Sequence, residues 1–248
     1  GSAGCGCLDT CGFEKDAFYF YKSVWNQNEK FAYLCPHWNL KLKKGTVLPV
    51  ICYTNCEDAE LFVNGRSFGM KSKGFPCYGM TERYGHFDRY RRPANTDDLF
   101  LSWDVPYEPG KIEVVGYHDG KEVCRYNVET TGEAAAIKLT VDKTSVDADG
   151  RSVVQAEVRI LDSEGHLVFD ACPELNFTLE GDGEIIGIDN GDPACHEQWK
   201  ETKGRHAFNG MAYAVIRAGQ NKGELTLTVQ ASGVDAAIGK ASVTISQK

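Results

Sequence analysis

The chain has 248 residues, 42% of them hydrophobic and 25% charged, which is the balance of an ordinary globular protein large enough for one big or two small domains. A formal net charge of −8 repels phosphate backbones and excludes nucleic acid as the expected partner; the one basic cluster, Arg89, Arg91 and Arg92, is too short to reverse that. No apolar run predicts a membrane span, since the best of them, such as Val47 to Tyr53, has only strand length.

The N-terminus shows no basic segment followed by an apolar core, so no signal peptide is predicted and the compartment stays unknown. Residues 13–25, FEKDAFYFYKSVW, have helical spacing. Phe13, Ala17, Phe20, Tyr21 and Val24 fall on one face, while Phe18, Tyr19 and Trp25 spread apolar surface round the others. A helix that is apolar on most sides expects neighbours on most sides, and the short preceding stretch does not supply them.

From Phe31 the pattern changes to short strands and turns. Val47 to Tyr53 is one strand. Glu60 to Val63, Asn64-Gly65 and Arg66 to Lys71 predict a hairpin, because Asn-Gly readily takes the left-handed angles of a type I′ turn. Leu99, Leu101 and Trp103 alternate, and Ile112 to His118, Asp119-Gly120 and Lys121 to Glu129 predict a second hairpin. This makes one antiparallel β domain, 31–131, of sandwich size. Thr131 to Ala136 is a Gly/Ala linker. Beyond it Val154, Ala156, Val158 and Ile160 alternate with polar residues, as do Leu225, Leu227, Val229 and Ala231, then Ala241, Val243 and Ile245. With candidate strands at 175–180, 184–189 and 206–218, residues 137–248 predict a second sandwich, and no helix is expected after residue 26. The antibody-type pair of cysteines flanking a core tryptophan is not clearly present, so immunoglobulin-like describes architecture only.

The ten cysteines (Cys5, Cys7, Cys11, Cys35, Cys52, Cys56, Cys77, Cys124, Cys172 and Cys195) match no disulfide framework, and Cys52 and Cys124 sit inside strand patterns where a buried thiol is the plainer reading. Cys5, Cys7 and Cys11 lack the paired C-x-x-C knuckles of a zinc site. Asp142, Asp147 and Asp149, and separately Asp189, Asn190 and Asp192, reproduce no calcium loop and suit tight turns instead. Neither metal nor cofactor is predicted. Asn176-Phe177-Thr178 is a formal glycosylation acceptor inside a predicted strand, where it is expected to be poorly accessible.

Residues 6–25, GCLDTCGFEKDAFYFYKSVW, are similar to the end of the catalytic barrel in bacterial glycoside hydrolases of family 2. PHWN (36–39), VLPVICYTNCEDAELFVNGRSFG (47–69) and WDVPYEPGKIEVVGYHDGKEV (103–123) resemble the immunoglobulin-like domain that follows the barrel. Residues 137–248 resemble a further terminal sandwich, notably through IIGIDNGDPACHE (185–197) and RHAFNGMAYAVI (205–216). The resemblance implies an all-β chain: two tandem immunoglobulin-like β-sandwiches preceded by a short helix, residues 1–30 being the last loop and helix of a truncated (β/α)8 barrel. It implies a bacterial parent enzyme of β-galactosidase type, a kind often exported to the periplasm or medium. It also makes the upstream barrel of the same polypeptide a partner, and a homo-oligomer one option.

Retaining enzymes of this family use two carboxylates about 5–5.5 Å apart. By the resemblance both glutamates precede residue 1, and the chain alone is expected to be inactive. Glu180 and Glu184 read as solvated surface. There is no G-x-S-x-G elbow, Walker loop or H-E-x-x-H site. The resemblance puts Asp9 and Lys15 on the loop after the eighth strand, where they either shape a substrate rim or order the loop through a salt bridge. His37 and Trp38 either reach that rim or wedge between domains. The segment 77–93, CYGMTERYGHFDRYRRP, interleaves Tyr78, Tyr84, Phe87 and Tyr90 with Arg83, His86, Arg89, Arg91 and Arg92. It suits either contact with an oligosaccharide or packing held by cation–π contacts. A free-standing carbohydrate-binding or adhesive module is the alternative to an accessory region.

Overall fold

In the computed structural model, residues 6–72, 99–198, 200 and 203–248 are described. They form an all-β chain with one α-helix, grouped into two compact units: Glu14–Thr130, and Thr131–Lys248 together with the segment ending at Phe13.

The first unit begins with α1 (Asp16–Trp25), followed by β1 (Ala32–Cys35), β2 (Val47–Thr54), β3 (Asp58–Val63), β4 (Arg66–Ser72), β5 (Leu101–Pro106), β6 (Lys111–His118) and β7 (Lys121–Glu129). One sheet has the order β1-β2-β5 and the other β4-β3-β6-β7, all pairs antiparallel. Both predicted turns take positive φ at their two central residues, 49° and 78° at Asn64-Gly65 and 50° and 70° at Asp119-Gly120, as type I′ geometry requires. Inward residues of the two sheets, including Leu34, Val50, Leu61, Val105, Ile112 and Val114, share a single core with Trp38 and Trp103. Each such aliphatic side chain contributes about 1.5–3 kcal/mol on burial.

The helix starts three residues later than its spacing suggests. Gly12 takes a φ of 86°, and the Asp9 carboxylate accepts the N–H groups of Cys11 and Phe13, so this stretch is a closed loop. The packed face is also rotated. Tyr19 stacks on Tyr33 with ring centroids 3.6 Å apart, Phe20 meets Tyr53 edge-on, Ser23 is buried, and the Tyr33 hydroxyl donates to Asp16. Asn55 ties down the helix exit by donating to the carbonyls of Asn26 and Glu29 while accepting from Phe31 N–H. Tyr21 and Val24, on the apolar face that the spacing gave to Phe20, are exposed, and Trp25 is 74% exposed with its ring stacked on Tyr21.

The second unit contains β8 (Ala136–Val141), β9 (Ser145–Val146), β10 (Val153–Leu161), β11 (Glu174–Glu180), β12 (Gly183–Asp189), β13 (Gly204–His206), β14 (Met211–Ala218), β15 (Gly223–Ala231) and β16 (Lys240–Gln247), with a 3-10 turn at Gly233–Ile238. Its sheets are β12-β14-β10-β8 and β13-β11-β15-β16-β9, where β9 runs parallel to β16. The core between them holds Val154, Ala156, Val158 and Ile160 from one sheet and Leu225, Leu227, Val229 and Ala231 from the other, the residues whose alternation predicted it. The expected single strand 206–218 is two strands, because Asn209 and Gly210 turn the chain with φ of 51° and 72°. Asn176 lies in β11 as expected, but its side chain is exposed, since alternation turns it away from the core-facing Leu175 and Phe177.

Candidate functional site

The segment before Phe13 packs against the second sandwich. Thr10 donates to Asp189 Oδ2 at 3.3 Å, the Phe13 ring meets Tyr213 edge-on at 6.0 Å, and the Asp9 carboxylate lies against Gly191. Gly191 has a φ of 78°, and a Cβ there would stand 2.1 Å from Asp9 Oδ2, so this approach demands glycine on two counts. Two separated motifs, the Gly–x–x–Asp loop and the Asp-Asn-Gly-Asp turn, are thus one structural feature.

Beneath them lies Arg205, whose side chain is only 4% exposed. In β13 it stands opposite Leu175, a core residue of β11, so register points it inward. Its guanidinium donates to Asp189 Oδ1 at 2.6 Å, to the Glu197 carbonyl at 2.8 Å and to Asn190 Oδ1 at 3.5 Å; Nε makes no hydrogen bond among the described residues. Asn190, itself buried, donates to the His206 carbonyl, and His206 Nδ1 pairs with Glu197 Oε1 at 2.5 Å. Burial alone would raise the Glu197 pKa, yet the His206 ring and backbone N–H hold it below the usual range. Periodicity did not disclose Arg205, because its burial depends on which strand it pairs with.

Carboxylates raised as calcium candidates accept backbone N–H groups. Asp142 Oδ1 accepts Gln155 N–H, Asp149 Oδ1 accepts Arg151 and Ser152, and Asp192 Oδ1 accepts Ala194, while the Asn190 amide oxygen accepts Asp192 N–H. These are turn roles. Glu184 pairs with Arg217 at 2.5 Å on exposed surface. Burial, then the Asp189 and Asp9 carboxylates, push the Cys11 thiol up to about 12, and burial with Asp16 does the same for Cys35. The Cys124 thiol is raised by its contact with Cys56 Sγ, 3.5 Å away, and by burial. A cleft of about 420 Å³ lies beside Tyr213, lined by Cys11, Phe13, Asp142, Gln155 and Glu157.

Of the other predicted site residues, Lys15 precedes α1, its carbonyl accepting Phe18 N–H, and belongs to the first unit whereas Asp9 belongs to the second. The loop-ordering role of Asp9 runs through backbone N–H groups. Trp38 is completely buried in the first sandwich: Nε1 donates to the Glu108 carbonyl at 2.9 Å, and Tyr107 and Thr130 donate to its own carbonyl. Its indole presents no face to solvent. His37 is half-buried and accepts Asn39 N–H at Nδ1. Tyr78, Arg83, Tyr84, Phe87 and Tyr90 lie outside the described residues. Among the described residues no helix is long and apolar enough to cross a membrane.

Residues 137–239 match the family model for glycoside hydrolase family 2 C-terminal domain 5, and residues 45–124 match that of a domain of unknown function, DUF4982. The chain is 35% identical over 238 residues to the beta-galactosidase BoGH2A of Bacteroides ovatus, covering 96% of this chain and 25% of that protein. It is 30% identical over 214 residues to a putative beta-glucuronidase of Formosa agariphila, covering 86% of this chain and 19% of the relative. Among solved structures, a glycosyl hydrolase family 2 member from Bacteroides cellulosilyticus superposes with a TM-score of 0.84 at 27% identity, over 98% of this chain and 32% of that one. The chain therefore spans a quarter or less of the length of these curated relatives.

Proposed function

We propose, for a chain that carries the C-terminal domains of glycoside hydrolase family 2, a non-catalytic accessory role: it braces the barrel of a retaining enzyme of β-galactosidase type and shapes access to its active site. The observation that carries this reading is the coverage: the chain aligns nearly end to end with a beta-galactosidase yet accounts for only 25% of it. The exposed ridge of Tyr21, Val24 and Trp25 supports it, because a stacked aromatic pair beside an aliphatic side chain suits burial against a protein body. In this reading residues 1–30 are the last loop and helix of the barrel, and the two sandwiches follow as 31–131 and 137–248.

Retaining hydrolysis needs one carboxylate as nucleophile and another as acid/base. In this reading the two glutamates belong to the barrel, while in the second unit Asp142, Asp149 and Asp192 accept backbone N–H groups and Glu184 pairs with Arg217. The test has three arms. The purified chain is assayed with aryl β-galactosides and β-glucuronides, where no turnover is expected, and activity that survives purification controls overturns the reading. The chain is titrated with oligosaccharides, where micromolar binding would favour the alternative of a carbohydrate-binding module. The gene upstream of Gly1 is sequenced, where two barrel glutamates in frame are expected, and their absence removes the enzyme reading altogether.

A further inference from the structure

At one end of the first sandwich the turn before β3 meets the β6–β7 hairpin. Glu57 N–H donates to the Tyr117 carbonyl at 3.2 Å, and Asp119 N–H donates to Glu57 Oε2 at 3.1 Å, so two backbone N–H groups fix the turns against each other. One ligand atom from each of Glu57, His118 and Asp119 lies within 4.8 Å of the other two. His118 Nδ1 stands 3.2 Å from Glu57 Oε1 but makes no hydrogen bond to it, although the nitrogen atom itself is buried. Whenever that ring nitrogen carries no proton, its lone pair faces a carboxylate oxygen, and a metal cation can take the place a proton would fill between them.

We propose that Glu57, His118 and Asp119 bind a divalent zinc-class ion through one imidazole nitrogen and two carboxylate oxygens. Donor atoms at the usual zinc bond lengths of about 2.0–2.2 Å sit roughly 3.3–3.6 Å apart on a tetrahedron, so the observed cluster needs only a small side-chain adjustment to close. The single imidazole selects zinc, nickel or cobalt over calcium and magnesium, which prefer all-oxygen shells. Glu57 and His118 keep side-chain exposures of 53% and 39%, leaving the fourth position open to water. The ion would clamp two turns that are distant in sequence, and neither Cys56 nor Cys124 is required as a ligand.

Isothermal titration of the full chain with zinc chloride is expected to show one site. His118→Ala and Glu57→Gln should each weaken it at least about tenfold, the usual cost of disturbing a metal site. The amide oxygen that Glu57→Gln introduces can still accept Asp119 N–H, so that variant keeps the turn and should unfold at the wild-type temperature in the absence of metal. Cobalt(II) is the second probe: a nitrogen and oxygen site shows no sulfur-to-cobalt charge-transfer band, and the His118 Nδ1 nitrogen resonance should move on zinc addition. Unchanged affinity in both variants, a strong sulfur band, or no heat and no resonance shift at millimolar zinc would each overturn the proposal.

Discussion

Replacing Arg205 by methionine isolates the energetic role of the buried cation that ties β13 to the Asp189 turn. The substitution keeps most of the aliphatic volume and deletes three hydrogen bonds, to Asp189 Oδ1, the Glu197 carbonyl and Asn190 Oδ1. Breaking a buried ion pair from one side costs about 3–5 kcal/mol, because the partner charge is left uncompensated. Asp189 keeps 35% side-chain exposure, so water recovers part of that loss and the lower end, about 3 kcal/mol, applies. For a unit of this size that corresponds to a fall of roughly 10–15 °C in its unfolding midpoint.

The assay is urea unfolding followed by circular dichroism, with amide exchange on β11, β13 and β14 reporting which unit has opened. Asp189→Asn and the double variant complete a cycle, whose coupling energy should be at least about 1.5 kcal/mol for a charge-assisted contact. A loss below about 1 kcal/mol in Arg205→Met, or strict additivity in the cycle, would show that the guanidinium is a passive filler and refute the reasoning.

Three further outcomes are expected. Gly116→Ala places a Cβ 2.6 Å from Cys124 Sγ and 2.7 Å from Cys56 Sγ, costing about 1–3 kcal/mol in thermal unfolding, and Cys124→Ala in the same chain should recover much of it. Burial alone would raise the Asp162 pKa, but the N–H groups of His166, Gly132 and Glu164 outweigh it and leave the group low. Its contribution is therefore complete above the unfolded-state value of about 3.9 and disappears as pH falls through the lower folded-state value. Asp162→Asn should be less stable at neutral pH and lose less on acidification, and an unaltered acid slope would contradict the assignment. Trp25→Lys should leave stability within about 0.5 kcal/mol in this chain but weaken association with a separately supplied barrel; a large loss in the chain alone would mean the ridge is packed within it.

The parts of the fold legible in the sequence were those governed by local chemistry. Asn64-Gly65 and Asp119-Gly120 specify their turns through the angles that only a few residues tolerate, and the alternation from Val154 to Ile160 needs no knowledge of its partner strand. Asn209-Gly210 carries the same turn chemistry as the two hairpins, yet it sits in an apolar stretch whose periodicity concealed the break. Arg205 was beyond reach for a different reason: a charged residue turns inward only when its register neighbour, here Leu175, is known.

The helix shows the limit most sharply. With aromatic residues at 18, 19, 20, 21 and 25, nearly every arc of α1 is apolar, so hydrophobicity could not choose the docked face. Polar contacts chose it instead. The Tyr33 hydroxyl reaching Asp16 and the Asn55 amide closing on Asn26 and Glu29 fix both ends of the helix, and the rotation they impose leaves Tyr21, Val24 and Trp25 outside. That two hydrogen-bonded anchors hold it outward is the physical reason to regard the ridge as a surface with a partner of its own.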